Sequence, residues 1–556
     1  MNLKITYLLS FLLAMFCFST GVNAQDTLDV PAFDQTGKPN LAQTILTDTA
    51  AGGVRKNPNR VYRLKSGDIY IVDQTLFVKF PLRIVSDNAP GVRPPILVKG
   101  TYANGVNLSH MFKFTKDGLQ HRFEGLIFQG VDLKRKYAGE WNKCIEINGD
   151  DISLKFSKCV FNAWAGRFIG NTGSNNSMFF RDCNWRNGVY LKHQFGGQQV
   201  ISENVKYIDS LVVTNCTFFN CGGFWLFQEN GVANYVLVEH NTLFTSQIDL
   251  FRMRDLVNAR FRSNLFYGTH AYGQNEEERK MNWFDTDNEY ISFFSLDKVD
   301  KKLLQNIGIE ESDRQVKCTN NSYYSPKAMT DFWSKWKVHA PVWMNKRTSG
   351  MFGDDTAYPG LIAEDNVEAD PAFEDKDMEA WVTAEVVKFC DDFRKGKSIA
   401  SSSRNYDKHV GAADILKLPW PLPENLVYTN PQLLKGGHDG LPVGDLNWYP
   451  EKRKLYKEDI NATKSPSSIQ NQLAVGVFPN PTADDIWVSF GLAKAQDVTI
   501  SIITPEGLSI QTRPLHHLSQ GKYNVRLPLN GMDDGLYLVR VRTDDASATS
   551  KVIIQH

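Results

Sequence analysis

The sequence has no excess of either charge: 62 Lys and Arg stand against 62 Asp and Glu in 556 residues. A balanced chain has no global electrostatic reason to seek nucleic acid, so no nucleic-acid partner is expected. Long apolar runs are also missing. After the N-terminus no stretch reaches the roughly 20 apolar residues of a membrane helix, so no transmembrane segment is expected in the mature chain. Cysteine is sparse, 8 in all, with no CxxC pair and no Cys/His cluster at zinc-ligand spacing. There is no GxSxG, no HExxH and no phosphate-binding glycine loop, so no catalytic motif is diagnostic.

What is present starts at the N-terminus. Lys4 supplies a positive charge, Leu8 to Phe18 form an apolar segment, and Val22-Asn23-Ala24 place short side chains before Gln25. Residues 1–24 therefore read as a secretory signal cleaved between Ala24 and Gln25. Cys17 follows the bulky Phe16, which disfavours lipid attachment there. Seven cysteines remain after cleavage, an odd number, and buried thiols are expected rather than metal ligands. The 34 Phe, 20 Tyr and 12 Trp suit β structure and sugar-stacking surfaces alike.

The middle of the chain repeats. His121–Phe128, Leu154–Phe161, Met178–Trp185, Leu211–Phe218, Val236–Leu243, Ala259–Phe266 and Val316–Tyr323 share one pattern. Each has an alternating strand, a polar pair, an anchor, one further residue and a large apolar residue. The anchors are Leu126, Cys159, Cys183, Cys216, Asn241, Asn264 and Asn321, spaced by 33, 24, 33, 25, 23 and 57 residues. A unit of about 24 residues with insertions accounts for them. That period fits one coil of a parallel β-helix, whereas propeller blades are longer and leucine-rich repeats need a denser Leu framework. Stacked coils would align Phe161, Trp185, Phe218, Leu243, Phe266 and Tyr323 inside, with an amide ladder through Asn241, Asn264 and Asn321 and stacked thiols at Cys159, Cys183 and Cys216.

From Asn57 to Tyr324 the chain resembles the right-handed parallel β-helix, pectate-lyase-like superfamily. Arg60–Asp73 and Pro81–Lys99 look like its entry coils, and Ala369–Phe373 like the segment that follows the last coil. Asn430–Tyr449 is expected to close the open end, and the charged 274–315 stretch to form an arm over a groove. The expected fold class is all-β: a right-handed parallel β-helix followed by a small C-terminal β-sandwich. Its parts are 25–350 for the β-helix with an N-terminal cap, 351–450 for its closing region, 451–472 for a Ser-rich charged linker and 473–556 for the tail.

The tail alternates strands, at 486–490, 498–503, 523–527, 536–541 and 552–554, with turns such as Pro505-Glu506-Gly507. Val477–Phe490, Ile502–Gly507, Gly521–Leu527, Gly535–Val541 and Lys551–Ile554 resemble, in order, the C-terminal sorting domain of the Bacteroidota type IX secretion system. The resemblance implies passage through the periplasm and outer membrane by that machinery, then release or attachment to surface lipopolysaccharide.

Candidate chemistry comes from overlaying successive coils. Gly170, Lys192, Gln228 and Arg252 fall in one expected column, and Asn171, His193, Glu229 and Met253 in the next. Lyases of acidic polysaccharides on this fold need a cation or metal on the substrate carboxylate, a base for the C5 proton and an acid at the leaving oxygen. Lys192 is the candidate base and Arg252 the charge-stabilising group. His193, Gln228, Arg167, Arg254 and Trp225 are candidate substrate contacts. Glu229 and Asp249 are candidate ligands for calcium, a cofactor that the family resemblance implies. A glycoside hydrolase would instead need a carboxylate pair, for which Asp209, Glu229, Asp249 and Asp255 are available, with Asp150-Asp151 at a turn. A non-catalytic, glycan-binding surface body is the third reading, with Trp164, Trp185 and Trp225 as stacking residues.

Overall fold

The computed structural model describes residues 26–555 apart from 33–40, 52–53, 101–107, 132–142, 165–166, 189–199, 203–206, 224–225, 229–231, 249–250, 254, 281–288, 303, 305–309, 398–403, 412–413, 415, 417, 458–474, 483–484, 493, 505–508, 530–531 and 544–546. The signal segment, with Ala24 and Gln25, lies outside the described residues.

The chain winds through three sheets of eleven, seven and ten strands. One coil runs through Ile145–Ile147, Ser153–Ser157 and Val160–Asn162, and the next through Ile169–Asn171, Asn176–Arg181 and Asn184–Arg186. Equivalent strands of these coils pair in parallel. This is a parallel β-helix. The inward residues of all three sheets merge into one core, which no single coil could bury alone.

The expected inner column is present in the ten-stranded sheet. Phe128, Phe161, Trp185, Phe218, Leu243, Phe266 and Tyr323 are successive register partners. Ring centroids lie 5.5 Å apart for Phe128–Phe161, 4.2 Å for Phe161–Trp185 and 5.0 Å for Trp185–Phe218. A second column in the eleven-stranded sheet stacks Phe123, Phe156 and Phe180 at 5.1 Å per step. These separations follow from the strand spacing of about 4.8 Å, which brings aromatic faces into contact without further adjustment. Trp164 and Trp185 are buried in this core, so the expectation that they stack on sugars is corrected: neither ring is open to solvent.

The polar pair of the repeat marks a sharp corner. The residue before each anchor has left-handed backbone: Gly125, Lys158, Asp182, Asn215, His240, Ser263 and Asn320, with φ from 51° to 63°. Left-handed backbone is costly for residues with a Cβ, and short polar side chains reduce that cost. The anchors behind the corner compensate. Asn241 Nδ2 donates to Asn264 Oδ1 and Asn264 Nδ2 to Asn321 Oδ1, both at 2.9 Å. Asn321 Nδ2 donates in turn to Asn366 Oδ1 at 2.9 Å, a fourth rung beyond the three expected. Each buried amide also donates to a backbone carbonyl, of Val213, Val238 and Phe261 respectively, so both amide hydrogens are satisfied. Earlier in the column the anchors are thiols. All seven cysteines described are free and buried, and burial pushes the Cys159 and Cys183 thiols far above their ordinary range.

The open faces are covered differently from expectation. At the N-terminal end the helix Leu41–Thr47 buries Leu41, Ala42 and Ile45 in the core. The described part of the 274–315 insertion closes the core rather than arching over a groove. Its strand Ser292–Phe294 pairs with Val342–Met344, and Phe294 and Phe293 pack 5.0 and 6.0 Å from Phe261 and Phe266. The last coil strands are Leu361–Glu364 and Val367–Glu368. Asn430–Tyr449 does not seal an open end either. Leu433 and Val443 pack on Phe219, Phe244, Leu265 and Tyr267, on the outer face of the ten-stranded sheet. The outward positions of those coils are themselves apolar, so this face needs a cover. The chain just before this strap is held by a buried charge cluster: Arg186 reaches Glu424 through Nε at 2.8 Å and Nη2 at 2.6 Å, and Asp407 through Nη1 at 2.8 Å. Burial lowers the guanidinium's proton affinity, but the two carboxylates outweigh it and hold the group charged.

The C-terminal region forms two antiparallel sheets. One contains Gly476–Phe478, Ile486–Leu492 and Gly521–Leu527, the other Ser509–Leu518, Gln496–Ile503, Gly535–Arg542 and Ser547–Ile554. Val488, Phe490, Ile500, Ile502, Val539, Val541 and Val552 share one core. Ser509–Leu518 escapes sequence reading because it is a polar edge strand carrying Pro514, which cannot donate to a ladder. The start of the expected linker is not free of the β-helix, because Tyr456 packs 5.4 Å from the His240 ring.

Candidate functional site

In the seven-stranded sheet the outer strand positions face the core and the middle one faces out. Phe112 and Phe114 flank Lys113, and Ile145 and Ile147 flank Glu146. Register places Lys113, Glu146, Gly170, Ile201, Phe227 and Arg252 in one column, which faces out at Lys113 and Glu146. This corrects the overlay. Gly170 and Arg252 do share a column, but Ile201 and Phe227 fill it between them. Gln228 lies one position over, with Asn171 and Ser202. The strand after Ile169–Asn171 is Val200–Ser202, not 189–192, because the insertion in this longer coil precedes its strand. Lys192, His193, Trp225, Glu229, Asp249 and Arg254 lie outside the described residues, as do the side chains of Gln228 and Arg252.

The described part of the face holds a compact polar cluster. Glu146 Oε2 lies 2.6 Å from His110 Nε2 and 3.4 Å from Lys113 Nζ, and its Oε1 lies 3.6 Å from Lys143 Nζ. Ser109 Oγ is 2.8 Å from His110 Nδ1. A neutral ring donating from Nε2 to Glu146 leaves Nδ1 to accept from the serine hydroxyl. Lys143 lies across Gly170, where a Cβ would come within 2.4 Å of its Cδ and 2.6 Å of its Nζ. A side chain at this column position would displace the lysine stem.

The electrostatics follow from partial burial and crowding of cations. Burial lowers the Lys143 pKa; Arg167 and Lys113 push it further down, and Glu146 opposes them. Burial likewise lowers His110, against Glu146 and with help from Lys113 and Lys143. For Glu146 burial acts upward, but His110, Lys143 and Lys113 together bring it below the ordinary carboxylate value. The result is an ionised carboxylate between Lys113 and Lys143, with Arg167 near Lys143 adding to an excess of positive charge on this face. Arg167 is the expected site residue that the described structure places in the cluster. His110, Lys113, Lys143 and Glu146 were missed because the overlay began two coils too late. The triplets Phe112-Lys113-Phe114 and Ile145-Glu146-Ile147 carried the signal.

Among the described carboxylates of the hydrolase reading, Asp209, Asp150 and Asp151 are each held by local hydrogen bonds, and Glu229 and Asp249 lie outside the described residues. Asp209 is buried in the eleven-stranded sheet, accepting from Ser177 Oγ at 2.6 Å and Ser210 Oγ at 3.2 Å. Asp150 accepts from the Ser174 backbone at 2.7 Å, and Asp151 takes the Asn175 amide.

Residues 476–555 match the family model of the secretion system C-terminal sorting domain. No curated protein matches the chain. The fold and the tail together define a parallel β-helix protein of the type IX secretion route. It is exported to the cell surface or released. Among the described residues no helix is long and apolar enough to cross a membrane.

Proposed function

We propose that this protein acts on an acidic polysaccharide as a lyase, with the seven-stranded sheet as its substrate face. The carrying observation is the cluster of Lys113 and Lys143 on the carboxylate of Glu146, with Arg167 close enough to Lys143 to lower its pKa, continuous in register with Arg252. Gly170 and Arg252 are three strand steps apart, about 14 Å at the usual strand spacing. A polyuronate laid across the strands meets cations at both ends of that span. In this reading Lys192 abstracts the C5 proton and Arg252 stabilises the charge that develops on the carboxylate. His193, Gln228, Arg167, Arg254 and Trp225 contact the chain, and Glu229 and Asp249 are the candidate calcium ligands. Lys113 and Lys143 hold a neighbouring uronate, and His110 orients Glu146 between them. After tail removal the product is released or attached to surface lipopolysaccharide.

The test is a panel of polygalacturonate, alginate, chondroitin and dermatan, followed by ultraviolet absorbance of the unsaturated product. K192A and R252A are expected to abolish turnover, while K143A weakens binding and leaves the bond cleaved unchanged. Retained glycan binding without product across the panel would instead establish the non-catalytic surface body.

A further inference from the structure

The corner residue His240 and the strap residues His438 and Asp439 are far apart in sequence, and their ligand atoms lie within 4.8 Å of one another. We propose that these three side chains form a binding site for a divalent transition-metal ion of the zinc type, joining the β-helix corner to the strap over the ten-stranded sheet.

The hydrogen bonding of His240 carries the argument. Its ring is fully buried, and Nδ1 faces two backbone carbonyl oxygens, Pro442 at 3.1 Å and Gly444 at 3.3 Å. Carbonyls only accept, so Nδ1 holds the ring proton. In the neutral ring Nε2 therefore presents a lone pair, and the atom it faces is Asp439 Oδ2 at 3.2 Å. Two acceptors at that distance repel unless a cation lies between them or the ring takes a second proton. Two ligands about 2.0 Å from a tetrahedral ion are separated by about 3.3 Å, which is the spacing found. A metal-bound histidine that donates its other N–H to a backbone carbonyl is the usual outer-shell arrangement.

The third ligand atom lies within 4.8 Å of the other two, near enough for His438 to close on the same ion. His438 is held by Ser263, whose hydroxyl lies 2.8 Å from its Nδ1 and accepts from its backbone N–H at 2.9 Å. His438 and Asp439 keep 22% and 25% of their side-chain surface exposed, which leaves an entry path. Gly437 permits the approach, since a Cβ there would sit 3.2 Å from His240 Cε1 and 3.0 Å from Asp439 Oδ1. Nearby Glu239 is occupied by Arg262 and the Tyr456 hydroxyl, so its charge is answered without the ion. Two imidazoles and one carboxylate with an open fourth position suit zinc or cobalt better than calcium, which takes an all-oxygen shell.

The experiment uses the full mature chain after chelator treatment. Titration with Zn2+ by calorimetry is expected to give one tight site, with a metal-dependent rise in the unfolding temperature that excess EDTA reverses. Co2+ should give the visible absorption of a tetrahedral nitrogen–oxygen site. H438A and D439N, on the partly exposed strap, should each weaken binding by more than about tenfold, at least the loss seen when an outer-shell partner is removed. H240Q should do the same, and its circular dichroism checks that the body still folds. Absence of Zn2+ and Co2+ binding in the wild type, or binding that H438A and D439N leave unchanged, would overturn the site and leave an imidazolium–carboxylate pair in its place.

Discussion

Asn264 donates its side-chain amide to Asn321 Oδ1 at 2.9 Å across 57 residues of sequence. The separation is long because the 274–315 insertion lies between two coils that stack directly. The same oxygen geometry recurs one coil earlier and one coil later. The ladder thus holds register through the insertion and supports the left-handed corner beside it.

N264A should be strongly destabilising. It removes the acceptor of the Asn241 backbone N–H and side-chain amide and the donor to Asn321. Leaving buried polar groups unpaired costs about 1–3 kcal/mol each, so a loss above about 2 kcal/mol is expected in urea unfolding. N366A, at the half-buried end rung, should cost less because water can replace it.

Arg186 offers a sharper test of how the closing region 351–450 is held. R186M leaves Glu424 and Asp407 buried without their cation. Breaking a buried pair from one side costs about 3–5 kcal/mol. The double variant R186M/E424Q should recover part of that loss in thermal unfolding, because it also removes one uncompensated charge.

The strap should also make stability depend on pH. Burial raises Asp445 to about 6, against hydrogen bonds from Thr217 and the Asn447 backbone. Its folded pKa exceeds the unfolded value, so the folded state binds more protons in that interval. Stability is then full below about pH 4 and is lost as pH rises through about 6. Urea midpoints measured from pH 4 to 7 should fall with rising pH in the wild type, and D445N should remove that component.

The tail can be tested apart from the body. A chain lacking residues 476–555 has no sorting domain. It should accumulate in the periplasm, whereas the full chain appears at the surface or in the medium. Cell fractionation with an antibody to the β-helix reads the difference.

The repeat was legible because stacking imposes one side chain on many coils: the aromatic column, the stacked thiols and three of four amide rungs could be assigned from spacing. The candidate site was legible only in part. Gly170 and Arg252 were correctly placed in one column, but the insertion ahead of Val200–Ser202 shifted the register of everything assigned between them. A period-2 strand tolerates no such slip without exchanging its faces.

The sequence by itself determined export, the coil period, the inner columns and the tail, because each is written locally or repeats at a fixed interval. Tertiary structure alone decided what covers the helix and what meets on its outside. The insertion closes the core, Asn430–Tyr449 lies along the ten-stranded sheet, and His240 meets Asp439 across 199 residues. Such contacts follow from which outward positions are apolar and from how far a strap can reach, and neither leaves a period in the chain.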